Sequence, residues 1–199
     1  MAIETVYLAG GCYWGLEDLL SKIPGVVDTT VGFSGGHVKN VCYREVTTGT
    51  TGHAETVKVV FDSDILSFTD LLTFFFKMHN PTTLNQQGND IGTQYRSAIF
   101  ATTDEQILLA EELIKKIDSL GVLTKKITTE VNTFNTFFLA EDNHQKYLEK
   151  YPDGYTCHFI RDINWQTRKT INQSLLRNYN VSNIPNQIIT KSLWYFIKL

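Results

Sequence analysis

Cys12 is the residue of this sequence whose surroundings best suit nucleophilic chemistry. It follows a short apolar, β-forming segment and stands within the run GGCYWG, immediately before a predicted helix. Unpaired amides and the helix dipole favour an anion at such a position, so we expect the pKa of this thiol to fall well below its usual value. The alternative is a small buried residue that only packs, but the bracketing glycines favour a reactive thiol.

Glu55 lies in the segment 54–61, where apolar and polar residues alternate as in a half-buried strand, and it falls on the apolar face. The other residues of that face are Val57, Val59 and Phe61. Desolvation raises the pKa of a carboxyl, which makes Glu55 a candidate proton donor, unless it is a strand-end residue that reaches solvent. Tyr43 and Tyr95 could add phenolic donors, or could simply pack in the interior.

A second redox-active thiol must come from a distant part of the chain. A glycine stands where a thioredoxin-type C-x-x-C motif starting at Cys12 has its second cysteine, which leaves Cys42 and Cys157 as candidates. His53 and His158 raise the possibilities of a Cys/His hydrolase and of a metal site. The spacing fits neither a papain-type motif nor a zinc-ligand pattern, so we predict no metal and no cofactor.

The order of predicted elements favours an α/β (α+β) two-layer sandwich with a ferredoxin-like split βαβ core, in which an antiparallel sheet carries helices on one face. The predicted strands of the core lie at residues 3–9, 26–33, 54–61 and 95–101, and its helices at 14–23 and 71–78. The predicted C-terminal additions are a helix from Thr102 to Gly121, a strand at 126–131 and a helix at 140–151.

Composition indicates one folded domain with a basic extension. The 199 residues are 42% hydrophobic, which excludes a disordered chain, and the net charge of −3 argues against a nucleic-acid-binding protein. Residues 163–199 differ, with five basic residues and no acidic one. We therefore predict a catalytic domain at 1–162 and an extension of unknown role at 163–199. With no export-type N-terminus and no long apolar run, we expect a cytoplasmic monomer without a membrane partner.

Four segments together resemble one family, peptide methionine sulfoxide reductase A. They occur in the family's order, and the first differs from the family's GCFWG by the tyrosine at position 13; the segments are GGCYWG, YREVTTGTTGHAE, PTTLNQQGNDIGTQYRSAIF and FFLAEDNHQKYL. The resemblance implies an oxidoreductase that reduces the S epimer of methionine sulfoxide, free or within proteins. It also implies thioredoxin as the reductant.

The resemblance implies a catalytic role for each matched polar residue. Cys12 would attack the sulfoxide sulfur, and Glu55 would protonate the sulfoxide oxygen with help from the hydroxyls of Tyr43 and Tyr95. Asp90 would position the substrate or assist the later thiol exchange. This agrees with the chemistry of the residues, since a sulfoxide sulfur is electrophilic only when charge on its oxygen is neutralised.

Substrate binding and recycling involve further residues. Tyr13 and Trp14 would form the apolar pocket for the substrate's methyl group, and His144 would contribute to substrate binding. After methionine leaves, a sulfenic acid on the nucleophile condenses with another thiol. We favour Cys157, in a C-terminal segment like the one that usually carries the resolving cysteine of the family, over Cys42.

Two other functions are compatible with Cys12. A single-thiol peroxidase would use the same thiolate without an acid facing it. A non-catalytic module would hold methionine-containing peptides in the pocket of Tyr13 and Trp14, and its binding would be insensitive to Cys12→Ser.

Overall fold

A six-stranded sheet organises residues 2–163, the part of the chain that the computed structural model describes. The strands are β1 (Ile3–Gly10), β2 (Val26–Ser34), β3 (Ala54–Asp62), β4 (Gln86–Gln87), β5 (Asp90–Ile91), β6 (Ser97–Ala101), β7 (Glu130–Thr133) and β8 (Phe137–Leu139). The α-helices are α1 (Tyr13–Leu20), α2 (Tyr43–Val46), α3 (Phe68–Met78), α4 (Asp104–Leu120) and α5 (Tyr147–Lys150), and a 3-10 turn spans Thr93–Tyr95. Strands β4 and β5 form a separate two-stranded sheet.

The predicted split βαβ core is confirmed. The chain runs β1-α1-β2-β3-α3-β6, and the corresponding strands lie in the order β6-β1-β3-β2 with every neighbouring pair antiparallel. Strand β7 joins one edge, parallel to β6, and β8 joins the other edge, antiparallel to β2. The strand order is the one expected when two βαβ units interlock, and it sets the start of α1 beside β3.

The main core lies between the sheet and helices α1 and α3. The predicted alternation in β3 is confirmed, because Glu55 and its apolar neighbours on that face are buried, and each such apolar side chain contributes about 1.5–3 kcal/mol. The largest of the fully buried side chains on this side are Tyr13, Phe33, Phe61, Phe75, Phe76, Leu8, Leu16 and Leu20. A smaller cluster covers the opposite face, where the rings of Tyr7 and Phe134 stack with centroids 3.9 Å apart.

Capping residues set the ends of two helices close to their predicted positions. The Ser67 hydroxyl accepts a hydrogen bond from the Asp70 backbone N–H at 3.1 Å, so α3 begins where the capping sequence placed it. Helix α4 begins one residue later than its predicted cap, because Thr103 rather than Thr102 accepts from the backbone of Gln106. It ends at Gly121, whose left-handed conformation suits a residue without a side chain.

The predicted helix at 140–151 is wrong, since only Tyr147–Lys150 is helical. Lys146 adopts a positive φ of 51°, and its backbone N–H donates to the buried carboxylate of Glu17 at 2.9 Å. The Gln145 amide binds the backbone of Val31, which ties this stretch to the edge of β2. These backbone and side-chain bonds compete with continuous helix formation.

Other boundaries also differ from the predicted ones. The strand predicted at 126–131 begins only at Glu130, and the one predicted at 95–101 begins at Ser97 because Tyr95 closes the 3-10 turn. Strand β8 and the β4–β5 hairpin were not predicted. Of the extension at 163–199, all but Ile163 lies outside the described residues. None of the helices in residues 2–163 combines the length and the apolar character that crossing a bilayer requires.

Candidate active site

The nucleophile candidate and the acid candidate meet at the first turn of α1, the first from the residue before the helix and the second from strand β3. Cys12 occupies the position just before the helix, and the backbone N–H of Tyr13 donates to Oε2 of Glu55 at 3.0 Å. The acid therefore binds a helix N-terminal amide that sequence reasoning had assigned to the thiol. The arrangement requires the start of α1 to pack against the start of β3, because Glu55 projects from the sheet face that α1 covers.

Glu55 is held in its protonated form near neutral pH. Its side chain is 1% exposed, and burial raises its pKa to about 8, with a further contribution from the charge of Asp90 and opposition from the Tyr13 N–H. Within residues 2–163 the Tyr13 amide is its hydrogen-bond partner, so Oε1 is left to donate a proton. The predicted position on the apolar face is confirmed.

The structure contradicts the expected low pKa of the Cys12 thiol. The residue is 7% exposed, and its burial raises the pKa of the thiol above the usual value. Electrostatic interaction with the Glu55 carboxyl raises this pKa further. The backbone N–H of Trp14 acts in the opposite direction but does not outweigh burial. A partial charge at a helix end is worth about 1 kcal/mol, less than the desolvation of a thiolate.

Tyr43 and Tyr95 lie close enough to Glu55 and Cys12 for their charges to interact. Burial raises the pKa of Tyr43 to about 12 and the pKa of Tyr95 above its ordinary value, and the charge of Glu55 adds to both shifts. Both phenols are therefore protonated over the neutral range. They are available as hydrogen-bond donors toward an oxygen placed between them and the acid.

An aromatic cluster surrounds Trp14, two residues after the nucleophile candidate. Trp14 stacks on Tyr147 with centroids 3.8 Å apart, and its Nε1 donates to Nδ1 of His144 at 3.1 Å. The His144 ring contacts the ring of Tyr43 at 4.3 Å. Tyr13 is 0% exposed, and its hydroxyl has no hydrogen-bond partner among the described residues. The structure thus brings Tyr13, Trp14 and His144 together, with Tyr13 beneath the surface.

The segment that carries Cys157 lies against the start of α1. Its thiol donates to Oδ2 of Asp90 at 3.2 Å, and the hydroxyl of Tyr155 donates to both oxygens of the same carboxylate at 3.0 and 3.1 Å. The backbone N–H of Cys12 also acts on the Cys157 sulfur. Burial and then the Asp90 hydrogen bond raise the pKa of Cys157 to about 12, so this thiol is neutral as well.

The glycines of GGCYWG make room for this segment. A Cβ at Gly15 would overlap Oγ1 of Thr156 and would lie 2.8 Å from Nδ1 of His158. Gly11 has a φ of 107°, a conformation that favours glycine. The close approach required at this motif is therefore to another part of the same chain.

Two candidate groups lie outside the site. Cys42 is exposed and begins α2, where its backbone N–H donates to Glu45 at 2.9 Å. The ring of His53 is engaged by backbone groups of Gly36 and Val38, so it is not free to act as a hydrolase base. Within residues 2–163, no three His, Cys, Asp or Glu side chains lie close enough together to hold a metal ion.

Three residues that lie around the site were given no catalytic role from the sequence, namely Tyr147, Tyr155 and His158. Tyr147 lies within the last signature segment, so its position there was a usable signal. The pair Cys157-His158 was considered only as a metal-ligand pattern, although adjacency of a thiol and an imidazole also fits proton transfer.

Comparison with known proteins agrees with this geometry. A sequence model of the family described as peptide methionine sulfoxide reductase matches residues 4–176. A relative named peptide methionine sulfoxide reductase MsrA 1, from Mesorhizobium japonicum, is 51% identical over 79% of this chain and 90% of its own length. MsrA of Mycobacterium tuberculosis is 46% identical over 87% of this chain and 93% of its own length.

Solved structures give the same result. Mxr1 of Saccharomyces cerevisiae in reduced form superposes with a TM-score of 0.74 at 37% identity, covering 81% of this chain and 93% of that one. Methionine sulfoxide reductase A of Corynebacterium diphtheriae gives a TM-score of 0.72 at 42% identity, covering 78% of each chain. The yeast protein has also been solved in complex with Trx2. With the fold, the four signature segments and these relatives in agreement, the chain belongs to the peptide methionine sulfoxide reductase family.

Proposed function

We propose that this reductase acts on the S epimer of methionine sulfoxide, free or within proteins, by direct attack of the Cys12 sulfur on the sulfoxide sulfur. The observation that carries the proposal is that Glu55 binds the backbone N–H of Tyr13, the residue that follows Cys12 at the start of α1. A sulfoxide becomes electrophilic at sulfur when its oxygen is protonated, so the reaction requires a proton donor beside the nucleophile.

Proton transfer links the two groups. Glu55 is mostly protonated at neutral pH because its pKa is about 8. As Glu55 protonates the sulfoxide oxygen, the substrate sulfur becomes positive, which favours loss of the Cys12 proton and attack by the thiolate. The thiol proton replaces the one that Glu55 gave up. Attack joins the Cys12 sulfur to the substrate sulfur. The substrate S–O bond and this new S–S bond then break as the hydroxyl group moves to the Cys12 sulfur, so that the products are the thioether methionine and a sulfenic acid.

The surrounding side chains suit this substrate. The neutral phenols of Tyr43 and Tyr95 would donate hydrogen bonds to the sulfoxide oxygen. Trp14, held by its hydrogen bond to His144, would present an apolar surface to the methyl group, with Tyr13 packed behind it. The hydrogen bonds from the two phenols would strengthen as negative charge grows on the oxygen.

Cys157 would then attack the Cys12 sulfenic acid, form a disulfide and release water. Its contact with the Cys12 backbone supports this choice over Cys42, which lies at the start of a different helix. Thioredoxin would supply the electrons that restore both thiols, as the resemblance implies and as the yeast Mxr1 complex with Trx2 supports. The three unpaired cysteines fit a cytoplasmic location, where thiols are kept reduced.

A single-turnover experiment without reductant tests the proposal. The enzyme is mixed with each epimer separately, methionine is quantified, and free thiols are counted before and after. We expect the S epimer to consume two of the three thiols. The matched variant Cys42→Ser should lose the same two thiols, whereas Cys157→Ser should retain a sulfenic acid at Cys12 that a dimedone probe labels.

Two results would contradict the proposal. Equal turnover of the R epimer would remove the assigned substrate. Faster oxidation of Cys12 by hydrogen peroxide than by the S-sulfoxide, in the same preparation, would favour the peroxidase alternative.

A further inference from the structure

The imidazole of His158 lies between the Cys157 sulfur and the backbone that leads into Cys12. Its Nδ1 lies 3.5 Å from the sulfur of Cys157, and its Nε2 lies 2.8 Å from the carbonyl oxygen of Gly10. The side chain is buried, with the residue 7% exposed. Its backbone N–H donates to Oγ1 of Thr156 at 3.1 Å, which fixes the turn that presents the ring.

The Gly10 carbonyl determines which ring nitrogen carries the proton. A carbonyl oxygen only accepts hydrogen bonds, so Nε2 of His158 is the protonated nitrogen. In the neutral ring, Nδ1 then has a free lone pair, and the Cys157 sulfur lies 3.5 Å from it. A nucleophile, a base and a group that orients the base are thereby in contact.

We propose that His158 is the general base that removes the thiol proton of Cys157 while Cys157 attacks the Cys12 sulfenic acid. The inference rests on the proposed function, in which those two cysteines form the disulfide. It adds a catalytic residue to the second chemical step, which the groups around Glu55 do not serve.

The step balances in atoms and electrons. The S–H bond of Cys157 breaks and its proton moves to Nδ1 of His158, while the sulfur attacks the Cys12 sulfur. The S–S bond forms as the S–O bond of the sulfenic acid breaks, and the departing hydroxide takes the proton from Nδ1 to leave as water. The Cys12 sulfur is reduced by the amount that the Cys157 sulfur is oxidised, so no external oxidant is needed.

Cys157 needs such a base because its thiol does not ionise readily. Burial and the neighbouring carboxylate of Asp90 raise its pKa to about 12. Asp90 opposes the thiolate but favours a positive imidazole beside it, so it would act as the counter-ion of protonated His158. The Cys157 proton points to Oδ2 of Asp90 before the reaction, and rotation about the Cβ–Sγ bond turns it toward Nδ1 of His158, which has no other partner among the described residues.

Burial and the surrounding charges keep the ring of His158 unprotonated at neutral pH. The titratable groups that act on it are Cys157, Asp90, Arg161 and the buried His79. Burial lowers the pKa of His158 to about 4, and Arg161 lowers it further while the Gly10 carbonyl and Asp90 raise it. The ring is therefore neutral from about pH 5 upward.

The test separates the two chemical steps in the full-length enzyme. His158→Gln keeps an amide that can donate to the Gly10 carbonyl but removes the base, and His37→Gln, at an exposed histidine, is the matched control. After mixing with methionine S-sulfoxide, methionine release reports the first step. Dimedone labelling of Cys12 and loss of the Cys157 thiol report the second, at several pH values from 5 to 8.

We expect His158→Gln to release methionine like the wild type but to form the disulfide about 10²-fold more slowly. The wild-type rate of disulfide formation should be nearly independent of pH, whereas the variant's rate should rise about tenfold per pH unit, as solvent must ionise Cys157. His37→Gln should behave like the wild type in both steps.

Three results would overturn the proposal. These are an unchanged rate of disulfide formation in His158→Gln, a slower rate with the flat wild-type pH profile, and a wild-type rate that itself rises about tenfold per pH unit. The last needs no variant, so it decides the matter even if His158→Gln does not fold. Absence of methionine release from the wild type would refute the proposed function instead, and the two failures are therefore distinguishable.

Discussion

The buried carboxyl of Glu55 should make the protein less stable as pH rises, and Glu55→Gln should remove that dependence. Folding raises the pKa of this group from 4.5 to about 8, so the folded state binds the proton more tightly than the unfolded state. Stability contributed by the protonated group is complete below pH 4.5 and is lost as pH rises toward 8. Glutamine can accept the Tyr13 N–H without carrying a charge.

The size of the effect follows from the two pKa values. One pH unit of difference corresponds to about 1.4 kcal/mol. Because Glu55 ionises at lower pH in the unfolded state than in the folded state, the free energy of unfolding falls by about 1 kcal/mol at pH 5, about 3 at pH 7 and about 5 at pH 9, relative to low pH. The stability of Glu55→Gln relative to the wild type should therefore increase by about 4 kcal/mol between pH 5 and pH 9. A constant offset from the amide itself does not affect this change.

Urea unfolding under reducing conditions at pH 5, 7 and 9 measures the difference. Glu45→Gln is the matched control, because Glu45 is fully exposed and its pKa is lowered by the Cys42 backbone N–H, so its difference from the wild type should be flat over this range. A flat difference for Glu55→Gln as well would refute the reasoning, since it would mean that the carboxyl is not desolvated. In single turnover the same variant should reduce the sulfoxide about 10²-fold more slowly.

Two further substitutions test the packing around the site. Gly15→Ala should slow disulfide formation about 10²-fold with methionine release unchanged, because the added methyl group displaces Thr156 and His158. Quenched-flow thiol analysis measures both steps, and a wild-type rate of disulfide formation would contradict the close packing. Tyr13→Phe should raise the free energy of unfolding by about 1 kcal/mol, because it removes a buried hydroxyl without a partner in the described residues; a loss of stability in urea would show that the hydroxyl is satisfied.

The parts of the fold that the sequence predicts are those with strong local patterns. Three apolar residues at alternate positions place Glu55 on the inner face of β3, and Ser67 marks the start of α3. The helix predicted at 140–151 fails because the carboxylate of Glu17 binds the backbone of Lys146, a residue distant along the chain. Local periodicity does not report such contacts.

The chemistry of Cys12 shows the same division. Its position before a helix is visible in GGCYWG, yet the Tyr13 amide there is bound by Glu55, which lies 42 residues from Tyr13 along the chain, and the Trp14 amide does not outweigh burial of the thiol. Likewise, His158 contacts Gly10 across 148 residues, so its orientation follows only from the folded chain. The glycines around Cys12 were predicted to favour a reactive thiol, but the sequence did not reveal that they make room for the Cys157 segment.

The protonated state of the site distinguishes a reductase from a single-thiol peroxidase. A peroxidase depends on an ionised thiol before its substrate arrives, whereas burial keeps Cys12, Cys157 and Glu55 protonated here. A sulfoxide that accepts the Glu55 proton creates the positive sulfur that makes thiolate formation favourable. In the proposed mechanism, reactivity at Cys12 would depend on a substrate with a basic oxygen on an electrophilic sulfur, and the raised pKa of the thiol would protect it from other oxidants until that substrate is bound.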